Sequence, residues 1–165
     1  MTDYLRPRLP GARIYFTVNL AQRGSDLLTQ EITRLRAAVR QIRQERPFQI
    51  DAWVVLPDHI HAVWTLPEGD ADYSARWSAI KARFSSGLPE GYLRASHVKR
   101  REKGIWQRRF WEHHLRDEAD YTAHVHHCWM NPVKHGLVTQ PQEWAFSSIH
   151  RERDVPRPLV VGPNV

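Results

Sequence analysis

Two short stretches of this 165-residue chain hold most of the side chains that could do acid–base, nucleophilic or metal chemistry. The first is "DHIHAVW", in which one residue separates His59 from His61. The second is "AHVHHCWMNPVKHGLV", residues 123–138, with four of the ten histidines and the single cysteine. Imidazole changes its charge near neutral pH and is a common metal ligand, so both stretches favour a reactive site.

The His-x-His stretch predicts a pair of metal ligands. Val, Ile and Trp around it are typical of a strand, and residues two apart on a strand share a face. His59 and His61 should therefore point the same way, while Ile60 points into the core. Two parallel imidazoles can hold a divalent metal ion. The alternative is a pair of histidines that simply face solvent or fill the core.

A third ligand is available in the second stretch if it forms a helix. Residues four apart lie on one helical face, so His127 and Asn131 form such a pair, with His124 one turn earlier. If this helix crosses the His-x-His strand, Asn131 Oδ1 can join the metal and His127 projects beside it. The alternative is that the histidines at 124, 126 and 127 are partly exposed helix residues without such a role.

The charge balance favours an anionic partner. Lys and Arg number 24 against 18 for Asp and Glu, which gives a net charge of +6 and a pI near 9.9. Seven tryptophans and five tyrosines accompany them. Basic groups mixed with flat rings suit a groove for single-stranded nucleic acid. The alternative is a basic protein with a large aromatic core.

Hydrophobic patterning predicts one domain over residues 1–165, with a loose arm at 1–12 and a tail at 152–165. The predicted strands cover 13–20, 50–56, 59–66 and 105–115, and the predicted helices cover 27–46, 73–84 and a segment from Asp117 or Asp120 toward Met130. Asn131-Pro132 is expected to break the last helix and to start a short one that ends at Gly136. This order predicts an α+β fold, a ferredoxin-like βαββαβ core with an added C-terminal helix. With neither a long apolar run nor a secretory signal, we expect a cytoplasmic protein without a membrane span.

Five segments in order give the chain a family resemblance. They are "GARIYFTVNL", "DAWVVLPDHIHAVWTLP", "RWSAIKARFS", "WQRRFWEHHLRDEADYTAHV" and "NPVKHGLV". Over about residues 7–150 the chain resembles the REP-associated tyrosine transposases, IS200-like members of the HUH superfamily. The resemblance implies a transposase that cuts and rejoins single-stranded DNA at imperfect, REP-like hairpins. It also implies a monomer or a homodimer.

The resemblance assigns roles to the reactive residues. The family uses two histidines and a polar residue of the late helix to hold Mg²⁺ or Mn²⁺, which maps to His59, His61 and Asn131. A helix tyrosine attacks the scissile phosphate and leaves a 5′-phosphotyrosine and a free 3′-OH. That tyrosine stands four residues before the Asn-Pro pair, where this chain has His127.

Three interpretations of His127 stay open. In the first, the covalent step is absent and the protein binds metal and hairpin DNA only. In the second, His127 itself attacks phosphorus or activates water as a general base. In the third, Tyr121 replaces the missing nucleophile, although it lies six residues earlier and points about 120° away on a helix.

Two further functions compete with the transposase: a non-catalytic hairpin-binding protein on the same scaffold, and an RNA-binding domain.

Basic and aromatic residues in several segments predict the DNA contacts. Trp106 or Trp111 could stack on an unpaired base or belong to the core. The predicted phosphate contacts are Lys81 and Arg83, Lys99, Arg100 and Arg101, Arg108 and Arg109, and Lys134.

Overall fold

The computed structural model describes residues 7–91 and 103–153 and contains one four-stranded antiparallel sheet in that part of the chain. The strands lie in the order β2-β3-β1-β4. The elements, in chain order, are β1 (Arg13–Asn19), α1 (Leu27–Gln30), α2 (Ile32–Glu45), β2 (Gln49–Val55), β3 (His59–Thr65), α3 (Tyr73–Ser85), β4 (Trp111–His114) and α4 (Glu118–Lys134), followed by 3₁₀ helices Pro141–Glu143 and Ser148–Arg153. The α+β fold and the βαββαβ order predicted from the sequence are confirmed.

One face of the sheet packs against α1, α2 and α3. Alternate residues of the two central strands point to this face, and Phe16 and Trp64 lie among them. The indole of Trp64 stacks on that of Trp77 at a centroid distance of 4.4 Å. Ile60 belongs to the same cluster and is fully buried, as the strand periodicity predicts. This aromatic and aliphatic layer is the larger part of the core.

The opposite face packs against α4 and the segment that follows it. Val125, Cys128 and Trp129 of α4 lie against Val54 and Val63 of the sheet. The 144–149 segment closes over the end of β2, where the Trp144 indole donates to the carbonyl of residue 55 at 2.8 Å. The segment after α4 therefore packs back on the domain.

Two element boundaries predicted from the sequence are wrong. The predicted helix 27–46 is interrupted at Glu31, and the first part, α1, is held against the β2–β3 loop by the Leu28 amide, which donates to the Pro57 carbonyl. The predicted strand 105–115 is reduced to four residues. Before them Trp106 makes only an isolated bridge with Leu20, since residues 107–109 are exposed and do not continue the pairing.

The predicted break at Asn131-Pro132 is also wrong. α4 runs through Pro132 to Lys134, and the chain leaves the helix at Gly136, which has a φ of 71°. Pro132 lacks an amide hydrogen, but it lies in the last turn, so only one internal hydrogen bond is lost. Packing of the preceding turns holds the helix direction. His127, Asn131 and His135, at spacings of four, consequently stay on one helical stripe.

The ends of the chain are described only in part. Residues 1–6 of the predicted arm and residues 154–165 of the predicted tail lie outside the described residues. The remainder of the arm contacts the domain, because the Tyr73 hydroxyl donates to the Pro7 carbonyl and the Gly11 amide to the Asp70 carbonyl. Within the described part of the chain, no helix is long and apolar enough to span a membrane.

Candidate functional site

His59 and His61 lie side by side on the face of β3 that α4 covers. In the β1–β3 register they stand opposite Asn19 and Thr17. Their rings are 4.9 Å apart, and each residue is buried, with 6% and 7% of its surface exposed. The two imidazoles therefore share a face, as the His-x-His spacing predicts.

Both imidazoles are held through their Nδ1 atoms. His59 Nδ1 is 2.6 Å from Asp58 Oδ1, and the other Asp58 oxygen accepts from the Gly24 amide. His61 Nδ1 is 2.6 Å from the Tyr15 hydroxyl and 3.1 Å from Thr17 Oγ1. An Nδ1 that is occupied in this way leaves Nε2 of each ring as the atom for a further ligand.

The environment keeps this histidine pair neutral near pH 7. Burial, followed by the neighbouring rings of His59 and His127, lowers the pKa of His61 to about 3. Burial also lowers the pKa of His59, against the opposing effect of Asp58. A neutral imidazole carries the lone pair that metal binding requires.

His135 completes a group of three histidines that the sequence analysis did not identify. Its ring lies 5.1 Å from that of His59. One nitrogen from each of His59, His61 and His135 lies within 4.8 Å of the other two. His135 stands four residues after Asn131, which could have placed it on the same helical face. It was missed because the helix was expected to break at Asn131-Pro132.

Asn131, the predicted third ligand, also borders the pair. It is 2% exposed, and its Nδ2 donates to the His127 carbonyl at 2.9 Å. Its side chain also hydrogen-bonds with His61 and raises the pKa of that ring against the effect of burial. The amide oxygen is the atom of this side chain that could serve as a metal ligand.

His127 lies beside the pair on the same helical stripe. Its ring centroid is 6.1 Å from that of His61 and 5.9 Å from that of Tyr15. Burial and then the charge of Lys134 lower its pKa. His127 thus presents a neutral imidazole, able to take a proton or attack an electrophile, next to the candidate ligands.

Neither nearby tyrosine is an evident substitute nucleophile. Tyr15 is 3% exposed, its hydroxyl is engaged with His61, and burial raises its pKa, so it stays protonated. The ring of Tyr121 lies under the Arg13 guanidinium, 4.4 Å from its central carbon. Tyr15 is better suited to orienting His61, a role that only the strand register reveals.

The donor set fits a divalent metal ion. Three imidazoles lie together where β3 meets the end of α4, with the side chain of Asn131 beside them. Mg²⁺ prefers oxygen ligands, whereas imidazole binds transition metals. Of the two ions predicted from the sequence, these donors favour Mn²⁺.

The predicted phosphate contacts fall in different regions. Lys81 and Arg108 line a groove of 370 Å³ between α3 and residues 103–110, on the side of the sheet away from α4. Arg83 pairs with Glu45 at 3.0 Å. Arg109 and Lys134 are exposed, and Lys134 is close enough to influence His127. Lys99, Arg100 and Arg101 lie outside the described residues.

The two candidate stacking residues differ in exposure. Trp106 is 8% exposed and its indole donates to Ser85 Oγ, so it belongs to the core. Trp111 is 55% exposed and lies 5.8 Å from Tyr15, on the histidine face of the sheet. Arg23, which the sequence analysis did not select, is half-exposed and lies 3.5 Å from Asp58. An open ring and a guanidinium thus flank the histidines.

Comparisons with known proteins agree with the family resemblance seen in the sequence. No model of a protein family matches the chain. A REP-associated tyrosine transposase of Escherichia coli strain K12 is 47% identical over 154 residues, covering 92% of this chain and 85% of the relative. A relative from Haemophilus influenzae is 40% identical over 154 residues, covering 92% and 88%. A solved structure of a REP-associated tyrosine transposase bound to a REP hairpin is 44% identical, with a TM-score of 0.82, and covers 97% of this chain and 90% of that one.

Proposed function

The chain belongs to the REP-associated tyrosine transposases, and from that premise we propose that it binds REP-like hairpins in single-stranded DNA and cleaves them with the help of a divalent metal. The observation that carries this proposal is the convergence of His59, His61 and His135 on one point, within 4.8 Å, beside His127. Family membership implies a divalent ion, and these donors suit it. We assign it as Mn²⁺ or Mg²⁺, with Mn²⁺ preferred.

The proposed ligands are His59, His61 and His135, with Asn131 Oδ1 beside them. When bound, the ion would polarise the scissile phosphate and offset the charge that develops on it. Asp58 and Tyr15 fix the orientation of the two strand imidazoles through Nδ1. This support keeps the Nε2 atoms directed at one position.

His127 is the proposed reactive group. In one route its neutral ring nitrogen attacks phosphorus, a nitrogen–phosphorus bond forms, the bond from phosphorus to the 3′ oxygen breaks, and that oxygen takes up a proton. In the other route His127 removes a proton from water, and the resulting hydroxide displaces the same oxygen. The first leaves a covalent adduct and the second does not.

Exposed groups around the histidines are the proposed DNA contacts. Arg23 and Lys134 lie next to them and can hold phosphates, while the open face of Trp111 can stack on an unpaired base. Lys81 and Arg108 line a groove on the opposite face of the sheet, which suits contact with a second segment of the hairpin. A hairpin is large enough to contact both faces.

A second candidate function is hairpin binding without cleavage. The observation in its favour is His127 itself, because imidazole is shorter than the phenol that the family places there. The shorter imidazole would have to reach the same scissile phosphate, and this disfavours cleavage. Binding depends on the basic and aromatic surface and would survive this loss.

Cleavage and binding of the same DNA separate the two functions. The substrate is a labelled single-stranded REP-like hairpin with Mn²⁺, and the variants are His61→Ala and, as a control, His126→Ala from the same helix outside the histidine group. The proposal predicts cleavage by the starting protein and the control, and a loss of at least about 100-fold in His61→Ala. Binding without cleavage by the starting protein supports the second candidate. Absence of both, with a folded protein by circular dichroism, contradicts the proposed function.

A further inference from the structure

A second group of metal-ligating side chains lies apart from the first, where β4 meets the start of α4. His113 comes from β4, and Asp120 and His124 come from the first two turns of α4. One donor atom from each lies within 4.8 Å of the other two. Neither the proposed first metal site nor the proposed reaction uses this group.

Two distances within this second group suit an ion that is held by both carboxylate oxygens of Asp120. His113 Nε2 is 3.0 Å from Asp120 Oδ2, and His124 Nδ1 is 3.1 Å from Asp120 Oδ1. Two donors that each lie about 2.1 Å from one ion are about 3.0–3.4 Å apart at bond angles of 90–109°. His124 Nδ1 is also 2.8 Å from the Asp120 carbonyl oxygen, which is a possible fourth donor.

The surroundings leave this group open to an ion. The side chains of His113, Asp120 and His124 are 27%, 15% and 24% exposed. The Arg116 amide donates to Asp120 Oδ2 and fixes the carboxylate. The Arg116 guanidinium is 3.8 Å from the same oxygen, but its side chain is 80% exposed and can move into solvent.

The rings are also fixed before any ion arrives. His113 and His124 stack at a centroid distance of 4.8 Å, and the Trp111 ring lies nearly parallel to that of His113 at a centroid distance of 6.0 Å. His124 contacts the ring of Tyr15 at 5.0 Å. Ligands that are already oriented lose little conformational freedom on binding.

We propose that His113, Asp120 and His124 form a second site, for a transition-metal ion of the Zn²⁺ class. Two imidazoles and one carboxylate are a known donor set for zinc and for iron, whereas Mg²⁺ requires mostly oxygen. The ion replaces the protons that the imidazoles share with the carboxylate. It links β4 to the first turns of α4, one turn before His127, and so fixes the helix that carries the reactive stripe.

Cobalt binding tests the second site separately from the first. The probe is Co²⁺, followed by its visible absorption, added to full-length protein that carries His59→Ala and His61→Ala. This background is expected to retain about one equivalent of Co²⁺, which Zn²⁺ displaces. A saturating ion, at about 100 times its dissociation constant, is expected to raise Tm by about 5–10 °C.

Matched variants identify the ligands. His113→Gln and His124→Gln are added to that background, because a glutamine amide can still donate to Asp120 and preserve folding. Each is expected to abolish the Co²⁺ signal, while His126→Ala leaves it unchanged. Failure of the folded background variant to bind Co²⁺ or Zn²⁺ overturns the second site, and so does retained binding in both glutamine variants. Either result leaves hairpin cleavage by the first group unaffected, so the two proposals fail independently.

Discussion

The two faces of the sheet use buried polar groups in opposite ways. On the face covered by α2 and α3, the buried guanidinium of Arg76 donates to the Arg46, Pro47 and Asp72 carbonyls and to both oxygens of Asp70. On the face covered by α4, the buried rings of His59 and His61 are oriented through their Nδ1 atoms, and His61 has one further hydrogen bond with Asn131, which is itself a candidate ligand.

This difference distinguishes a structural group from a proposed metal ligand. A buried polar group whose hydrogen bonds are all satisfied stabilises the fold and has nothing left to bind. A buried imidazole that is held at one nitrogen keeps the other available for a ligand. Alternation along β3 allows both in one strand, since Ile60 and Trp64 serve the aromatic core while His59 and His61 face α4.

The largest expected effect on stability is at Arg76. Arg76→Met leaves three backbone carbonyls without their donor and should lower the free energy of unfolding by about 3 kcal/mol. Urea unfolding followed by circular dichroism measures it. The control is Arg83→Met on the same helix, whose exposed pair with Glu45 should contribute less than about 1 kcal/mol. Equal losses in the two variants would contradict a structural role specific to Arg76.

A smaller effect on stability, with a larger one on metal affinity, is expected at Tyr15. Tyr15→Phe keeps the ring and removes the hydroxyl that orients His61, so Mn²⁺ affinity should fall by about 10–100-fold. Stability should change by only about 1 kcal/mol. Isothermal titration with Mn²⁺ measures the affinity, with Tyr121→Phe as the control. Unchanged affinity in Tyr15→Phe would show that the hydroxyl does not support His61.

The smallest effect concerns acid stability on the face of α2 and α3. The hydrogen bond from Arg76 lowers the pKa of Asp70 to about 2, below the value of about 3.9 expected in the unfolded chain. The stabilisation is therefore complete above about pH 4 and is lost as pH falls toward 2. Asp70→Asn should flatten this part of the stability profile, measured by urea unfolding between pH 2.5 and 6. The control is Glu68→Gln in the same loop, and an unchanged profile in Asp70→Asn would contradict the assignment.

Much of the fold was predictable because its signals are local. Strand alternation and helical spacing identified the βαββαβ order, and five ordered motifs identified the family, which the relatives confirm. Tertiary packing and strand pairing determined the remaining element boundaries, which the sequence pattern did not predict. Pro132 did not end α4, because turns already held against β2 and β3 continue for two more residues. The strand predicted from residue 105 paired only from Trp111 onward.

Only the parts of the candidate site that follow from residue spacing along a strand or helix were predictable. The positions of His59, His61, Asn131 and His127 follow from strand and helix periodicity, and their roles remain proposals. His135 was missed because the helix was expected to stop before it. The contact between Tyr15 and His61 depends on the pairing of β1 with β3, which no local pattern predicts.

We propose that His127 acts at the nucleophile position beside a working metal site. This role is tested by cleavage of a labelled single-stranded hairpin with Mn²⁺ by the starting protein, His127→Ala and His127→Tyr, each analysed on a denaturing gel for a protein–DNA adduct. We expect that His127→Tyr cuts and forms a stable adduct, that the starting protein cuts more slowly, and that His127→Ala does not cut. An acid-labile adduct of the starting protein would identify His127 as the nucleophile, and cleavage without an adduct would identify it as the base. Cleavage by His127→Ala at the rate of the starting protein would contradict the claim.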